Sequence, residues 1–205
     1  EEVAWLVRTK MFKYFYPDEY EESSYMLDYQ AYYDAGYRAV LFDIDNTLVP
    51  HGLPADERAL ELFRRLKAIG YQTVLLSNNK EPRVKSFAQQ VDSLYIYKAG
   101  KPGNGGYEKA LKLMEIEKQQ ALFIGDQIFT DVWGGNRQNM TTILVKPICD
   151  KENKFVKFKR ILEKVVMKGY KNENKKNYSR TYFGIGCFGK CFCVYPLFTA
   201  RAVTR

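Results

Sequence analysis

The chain alternates short, continuous apolar runs with stretches of helical spacing. The runs are Ala39-Val40-Leu41-Phe42, Thr73-Val74-Leu75-Leu76, Leu94-Tyr95-Ile96-Tyr97, Ala121-Leu122-Phe123-Ile124 and Thr142-Ile143-Leu144-Val145. All read as strands; the first, without polar alternation, reads as covered on both faces, as in a parallel sheet. Between the first two runs, Pro54-Ala55-Asp56-Glu57 opens a helix with proline and acids in its first turn. Leu60, Phe63 and Leu66 form its stripe, Leu62 and Ile69 lie alongside, and Gly70 closes it. Further helices are expected over about 82–90, over about 106–117 and from near Asp131. Upstream, Tyr25, Tyr29 and Tyr32 recur at helical intervals, which predicts a helix over about 24–35 in an aromatic segment packed on the core. Strands alternating with helices over 38–146 predict βαβ units with right-handed crossovers, and so an α/β fold on a central parallel sheet.

In an open parallel sheet, ligands gather at the carboxyl ends of the strands. Asp43, Ser77, Lys101 and Asp126 each fall at or just after such an end, so they should converge on one rim. The first strand runs straight into Asp43-Ile44-Asp45-Asn46-Thr47. Two acids and an Asn are ordinary turn chemistry, which is the bland interpretation of that stretch. The other rim groups change the balance. Asp43, Asp45, Asp126 and Asp131 around one point repel one another unless a hard cation such as Mg2+ lies among them. Lys101, the Ser77 hydroxyl and nearby backbone amides are suited to an anion. Acids, cation, lysine and anion-binding amides together describe phosphoryl transfer. No G-x-x-x-x-G-K-[ST] loop is present, so a P-loop nucleotide site is excluded. A carboxylate nucleophile is the available route: Asp43 attacks phosphorus, while Asp45 protonates the leaving oxygen and then activates water.

These motifs resemble those of the haloacid dehalogenase superfamily. Asp43-Ile44-Asp45-Asn46-Thr47 looks like its D-x-D-x-T motif, Ser77-Asn78-Asn79 its second motif, Lys101-Pro102 its motif lysine, and Gly125 to Asp131 its G-D-x-x-x-x-D motif. All four occur in order. The span from Met11 to about Lys168 further resembles the YqeG-type subclass IIIA phosphatases. Tyr16-Pro17-Asp18-Glu19, Tyr97-Lys98-Ala99-Gly100 and Val132-Trp133-Gly134-Gly135-Asn136-Arg137 extend the likeness. That group includes phosphatidylglycerophosphate phosphatases. The resemblance implies a three-layer Rossmann-like fold. It implies catalytic roles for Asp43 and Asp45, and substrate contacts from Thr47, Ser77, Asn78 and Lys101. It also implies Mg2+ as cofactor, held by Asp43, the Asp45 carbonyl, Asp126 and Asp131. Lys98 competes for the lysine role, but the Lys-Pro pair favours Lys101. About 30 residues separate Asp45 from Ser77, and one helix uses most of them. No large cap domain fits there, so the rim should stay open to a bulky phosphorylated substrate, a phospholipid head group being one class.

Charge alters the picture only at the C-terminus. The net charge is +8, yet residues 171–205 carry +6 and residues 151–170 carry +5, which leaves residues 1–150 at about −3. Residues 153–168 read as a basic amphipathic helix. Phe155, Phe158, Leu162 and Val165 form one face, with Ile161 beside them; Lys154, Lys157, Lys159, Arg160 and Lys164 fill much of the rest. Packing of this helix on the domain is the expected role, and peripheral membrane contact the competing one. The proposed organisation is an extension over 1–10, a phosphatase domain over 11–170 and a basic, Cys- and aromatic-rich tail over 171–205. Cys187, Cys191 and Cys193 form a C-x3-C-x-C cluster without the second pair or nearby His that a zinc site favours. No apolar run reaches membrane-spanning length, and Glu1-Glu2 does not open a signal peptide pattern, so a cytoplasmic location is expected. No nucleic-acid partner is expected. A catalytically weak binding or regulatory module on the same fold is the alternative function, although such a module has no need of Asp43 and Asp45 together.

Overall fold

A computed structural model describes residues 12–149 and 159–170, all within one compact unit that ends at Tyr170. Six strands form one sheet: β1 (Glu19–Glu21), β2 (Ala39–Phe42), β3 (Gln72–Leu76), β4 (Leu94–Ile96), β5 (Ala121–Gly125) and β6 (Thr141–Val145). Their spatial order is β1-β6-β5-β2-β3-β4, and every pairing is parallel. The central strand, β2, is fully buried on both faces, as its unbroken apolar run requires. Val40 and Phe42 point into one core, and Ala39 and Leu41 into another. Helices α1 (Tyr29–Asp34), α2 (Glu57–Ile69) and α3 (Glu81–Val91) cover the first face, and α4 (Gly105–Met114) covers the second. The result is the α/β fold on a central parallel sheet that the sequence pattern predicts, in the three layers that the resemblance implies.

Local signals behave as expected at α2. Asp56 accepts from Ala59 N at 2.8 Å as its N-cap, and Gly70 ends it with φ of 109°. Two helix expectations need correction. The helix expected over about 24–35 is only Tyr29–Asp34, because Asp28 caps it and Ser23–Met26 forms a turn. Tyr29 and Tyr32 are buried, but the segment also reaches the rim: Ser24 Oγ donates to Thr47 O at 2.9 Å, and Tyr25 donates to Leu48 O. The helix expected from near Asp131 starts earlier, as a π-helical turn (Ile128–Val132) that runs into α5 (Trp133–Arg137). Edge strand β1 carries no apolar run and pairs with β6 through Glu19, Tyr20 and Glu21.

Within its described residues, the C-terminal helix turns a different face inward from the one expected to pack. Within residues 159–170, Glu163 and Val166 are buried, while Ile161, Leu162 and Val165 are 61, 44 and 65% exposed. The inward face meets polar partners: Glu163 Oε1 accepts from Ile128 N at 2.8 Å, and Arg160 reaches the Asp126 backbone. Satisfying that backbone donor and buried acid outweighs burying three aliphatic side chains. Phe155 and Phe158 lie outside the described residues, as do residues 1–11 and the Cys187, Cys191 and Cys193 cluster. Among the described residues no helix is long and apolar enough to cross a membrane.

Candidate active site

The carboxyl ends of β2, β3 and β5 bring the rim residues together. Asp43 follows β2 directly and is anchored by its N–H to Ile124 O at 2.9 Å. The chain then turns sharply: Leu48 N donates to Ile44 O at 2.9 Å, Asn46 N to Val49 O at 2.7 Å, and Asn46 adopts φ of 65°. Asn tolerates this left-handed conformation better than most residues. The turn leaves Asp43 and Asp45 pointing to different partners.

Asp43 belongs to a buried acidic cluster. One carboxylate oxygen from each of Asp43, Asp126 and Asp131 lies within 4.8 Å of the others. Lys101 Nζ sits among them, 2.6 Å from Asp43 Oδ1 and 2.8 Å from Asp131 Oδ1, with its side chain 3% exposed. Lys101 is placed by Asn78, whose Oδ1 accepts from Lys101 N at 2.8 Å and whose Nδ2 donates to Lys101 O at 3.1 Å. The Lys101–Pro102 peptide is cis. Asp131 is held by Gln127 N, which donates to its Oδ2 at 3.0 Å. Gly125 makes room for it: a Cβ there would lie 2.6 Å from the Asp131 carboxylate. Thr47 Oγ1 donates to Asp126 Oδ1 at 3.3 Å.

Electrostatics follow from three acids and a shared lysine in a dry site. Burial pushes Asp43 up to about 6, against the pull of Lys101 and with Asp131 adding to the rise. Burial likewise raises Asp126 well above the carboxylate range, opposed by Arg160. For Lys101, burial acts to lower the pKa, but Asp131 and Asp43 outweigh it, so the net shift is upward and the ammonium stays charged. With all three carboxylates ionised, the cluster carries more negative charge than Lys101 alone neutralises. Three oxygen donors with surplus negative charge suit a hard divalent cation such as Mg2+.

Asp45 is held outside this cluster. Its carboxylate accepts from Gly52 N at 2.9 Å, from Arg83 Nη2 at 3.1 Å and from Asn79 Nδ2, with His51 Nδ1 3.5 Å away. These contacts turn the Asp45 carboxylate away from the Asp43, Asp126 and Asp131 cluster. Ser77 is buried at the end of β3, with its N–H bonded to Ile96 O and its carbonyl to Ala99 N, both at 3.0 Å. Its hydroxyl accepts from Asn79 N at 3.3 Å.

A protein from Bacillus subtilis, the probable phosphatase YqeG, is 35% identical over 162 residues, covering 78% of this chain and 94% of the relative. The chain belongs to the haloacid dehalogenase-like hydrolases. A sequence model of that family matches residues 51–138. A phosphatidylglycerophosphate phosphatase of Arabidopsis thaliana is 26% identical over 140 residues, covering 63% of this chain and 40% of that longer protein. One from Chlamydomonas reinhardtii is 32% identical over 133 residues, covering 60% of this chain and 49% of its own. Among solved structures, the deoxy-D-mannose-octulosonate 8-phosphate phosphatase of Haemophilus influenzae is 13% identical and overlaps with a TM-score of 0.44, over 66% of this chain and 90% of that one.

Four neighbours of this hydrolase's site escape a sequence reading. Asn79 and Arg83 hold Asp45, and Arg160 with Glu163 backs Asp126. Asn79 lies inside a recognised motif, so its position carried a signal. Arg83 is one basic residue on an ordinary helix, and Arg160 one of seven Lys/Arg in residues 151–170. No spacing sets either apart; only the folded rim selects them.

Proposed function

We propose that this hydrolase is a Mg2+-dependent phosphomonoesterase that works through an aspartyl-phosphate on Asp43. The observation that carries the proposal is the Asp43 carboxylate, buried at the end of β2 within 4.8 Å of Asp126 and Asp131 carboxylate oxygens and ion-paired to Lys101 at 2.6 Å. Asp43, Asp126, Asp131 and the Asp45 carbonyl are the groups that would hold Mg2+. When bound, the cation screens the acids and draws charge from the phosphoryl oxygens. An Asp43 oxygen forms a bond to phosphorus as the bond to the ester oxygen breaks. Asp45 supplies the proton that the departing oxygen needs. Water then attacks phosphorus, Asp45 takes its proton, the Asp43–phosphorus bond breaks and inorganic phosphate leaves. Lys101 offsets charge on the phosphoryl group and on Asp43, while Ser77, Asn78, Thr47 and adjacent amides define where the phosphate sits.

The finer proposal is a lipid phosphomonoester, of the phosphatidylglycerophosphate type, as substrate. Its support is the likeness to the two phosphatidylglycerophosphate phosphatases. The outward Ile161, Leu162 and Val165, beside exposed Lys164 and Lys168, also suit peripheral contact with an anionic bilayer. The primary test is hydrolysis of an aryl phosphate with and without Mg2+ by wild type and Asp43→Asn. Mg2+-dependent release by wild type alone is expected; equal rates in the two proteins would refute the mechanism. Phosphatidylglycerophosphate in vesicles, set against soluble phosphomonoesters, tests the substrate class. No preference for the lipid, or full activity on vesicles after Lys164→Glu and Lys168→Glu, removes the corresponding part.

A further inference from the structure

The helix over 159–170 reaches Asp126 through the side chain of Arg160. Arg160 Nη1 donates to the Asp126 backbone carbonyl at 2.5 Å, and Nη2 pairs with Asp126 Oδ2. The same Nη1 donates to Glu163 Oε2 at 2.9 Å, and Glu163 Oε1 accepts from Ile128 N at 2.8 Å. The four groups form a closed ring around the loop that follows β5. Asp126 is 2% exposed and its side chain is wholly covered, so neither carboxylate oxygen can be oriented by bulk water. Oδ2 is engaged by the guanidinium and Oδ1 by Thr47 Oγ1 at 3.3 Å.

We propose that Arg160 is a positioning residue for the metal site: it fixes the orientation of the Asp126 carboxylate within the cluster that Asp126 forms with Asp43 and Asp131. This rests on the proposal that the acidic cluster binds Mg2+. A guanidinium suits the task because its planar fork grips a carbonyl and a carboxylate oxygen of one residue at once, which a lysine cannot do. Glu163 keeps the fork in place and holds the Arg160 charge locally balanced, so the guanidinium does not cancel the negative charge that attracts the cation. Groups that orient a metal ligand in this way typically change metal affinity about 10–100-fold when removed. The C-terminal helix thereby becomes part of the metal site without contributing a ligand.

The test is calorimetric titration of Mg2+ into the metal-free full chain, for wild type, Arg160→Met, Arg160→Lys and Val166→Ala. Val166 is buried in the same helix, in the cluster with Ile128 and Val132. Val166→Ala thus loosens the helix and leaves the Arg160–Asp126 contact in place. Arg160→Met should weaken Mg2+ binding at least about tenfold, at a temperature where circular dichroism shows the variant folded. Arg160→Lys should fall between it and wild type, and Val166→Ala should lower Tm while leaving the Mg2+ dissociation constant within about twofold. Undiminished Mg2+ affinity in Arg160→Met would overturn the proposal. So would an equal loss in Val166→Ala, which would make Arg160 a docking contact only. Absence of Mg2+ binding by wild type would instead sink the metal-site reading itself.

Discussion

Replacing Asp43 by Asn should stabilise the metal-free protein while abolishing hydrolysis. Asp43 is buried, shares Lys101 with Asp131, and has its pKa pushed up to about 6 from 3.8. At neutral pH the folded chain must ionise a group that its surroundings prefer protonated. The difference between those two values corresponds to about 3 kcal/mol. Asn has nearly the shape of the protonated acid, and its carbonyl can still accept from Lys101 Nζ. In a chain of this size, about 3 kcal/mol corresponds to roughly a 6–12 °C rise in Tm. The sign with pH follows from proton uptake. Between about pH 4 and 6 the folded chain holds a proton on Asp43 that the unfolded chain releases, so wild type loses stability as pH rises through that window. The variant has no such group. The stability gap should therefore be full at about pH 7.5, about half at pH 5 and nearly closed at pH 4. Thermal or urea unfolding in EDTA at these three pH values measures it. A variant no more stable than wild type at pH 7.5, or a gap that widens as pH falls, would refute the cost assigned to ionising Asp43 in its buried position. Adding Mg2+ should then raise the wild-type Tm more than that of the variant, because binding to the folded state alone stabilises it.

Two other substitutions probe the same cluster. Lys101→Met leaves Asp43 and Asp131 buried without their cation and should cost about 3–5 kcal/mol in urea unfolding. Combining it with Asp43→Asn should cost less than the two effects summed, and strict additivity would contradict direct coupling. Gly125→Ala places a methyl group 2.6 Å from the Asp131 carboxylate. It should lose about 1–3 kcal/mol of stability together with Mg2+-dependent activity, whereas wild-type behaviour in both would show that the glycine is not needed to seat Asp131.

Much of the frame was legible because its causes are local. The apolar run Ala39–Phe42 without alternation announced the buried central strand, and Asp56 and Gly70 announced the ends of α2. Asp43, Ser77, Lys101 and Asp126 could be placed on one rim from strand ends alone, and Asp43, Lys101 and Asp126 do meet there, with Asp131 beside them. Edge strand β1 was hidden because Glu19-Tyr20-Glu21 pairs through its backbone and buries little. The segment around Ser24 and Tyr25 was readable as aromatic packing, but not as the support of the Thr47–Leu48 turn, since those hydrogen bonds join residues 23 apart.

The sequence by itself determined which chemical groups reach the rim, because the order of strands, helices and strand ends is written in local patterning. It could not determine how those groups divide their partners. Asp43 and Asp45 are two positions apart, yet one joins a buried triad with Lys101 and the other faces Arg83, Asn79 and Gly52. Nor could it reveal that the C-terminal helix would turn Arg160 and Glu163 inward and leave Ile161, Leu162 and Val165 outside. That choice depends on an unpaired backbone N–H at Ile128 and a buried carboxylate at Asp126, and both exist as demands only once the sheet has closed over them.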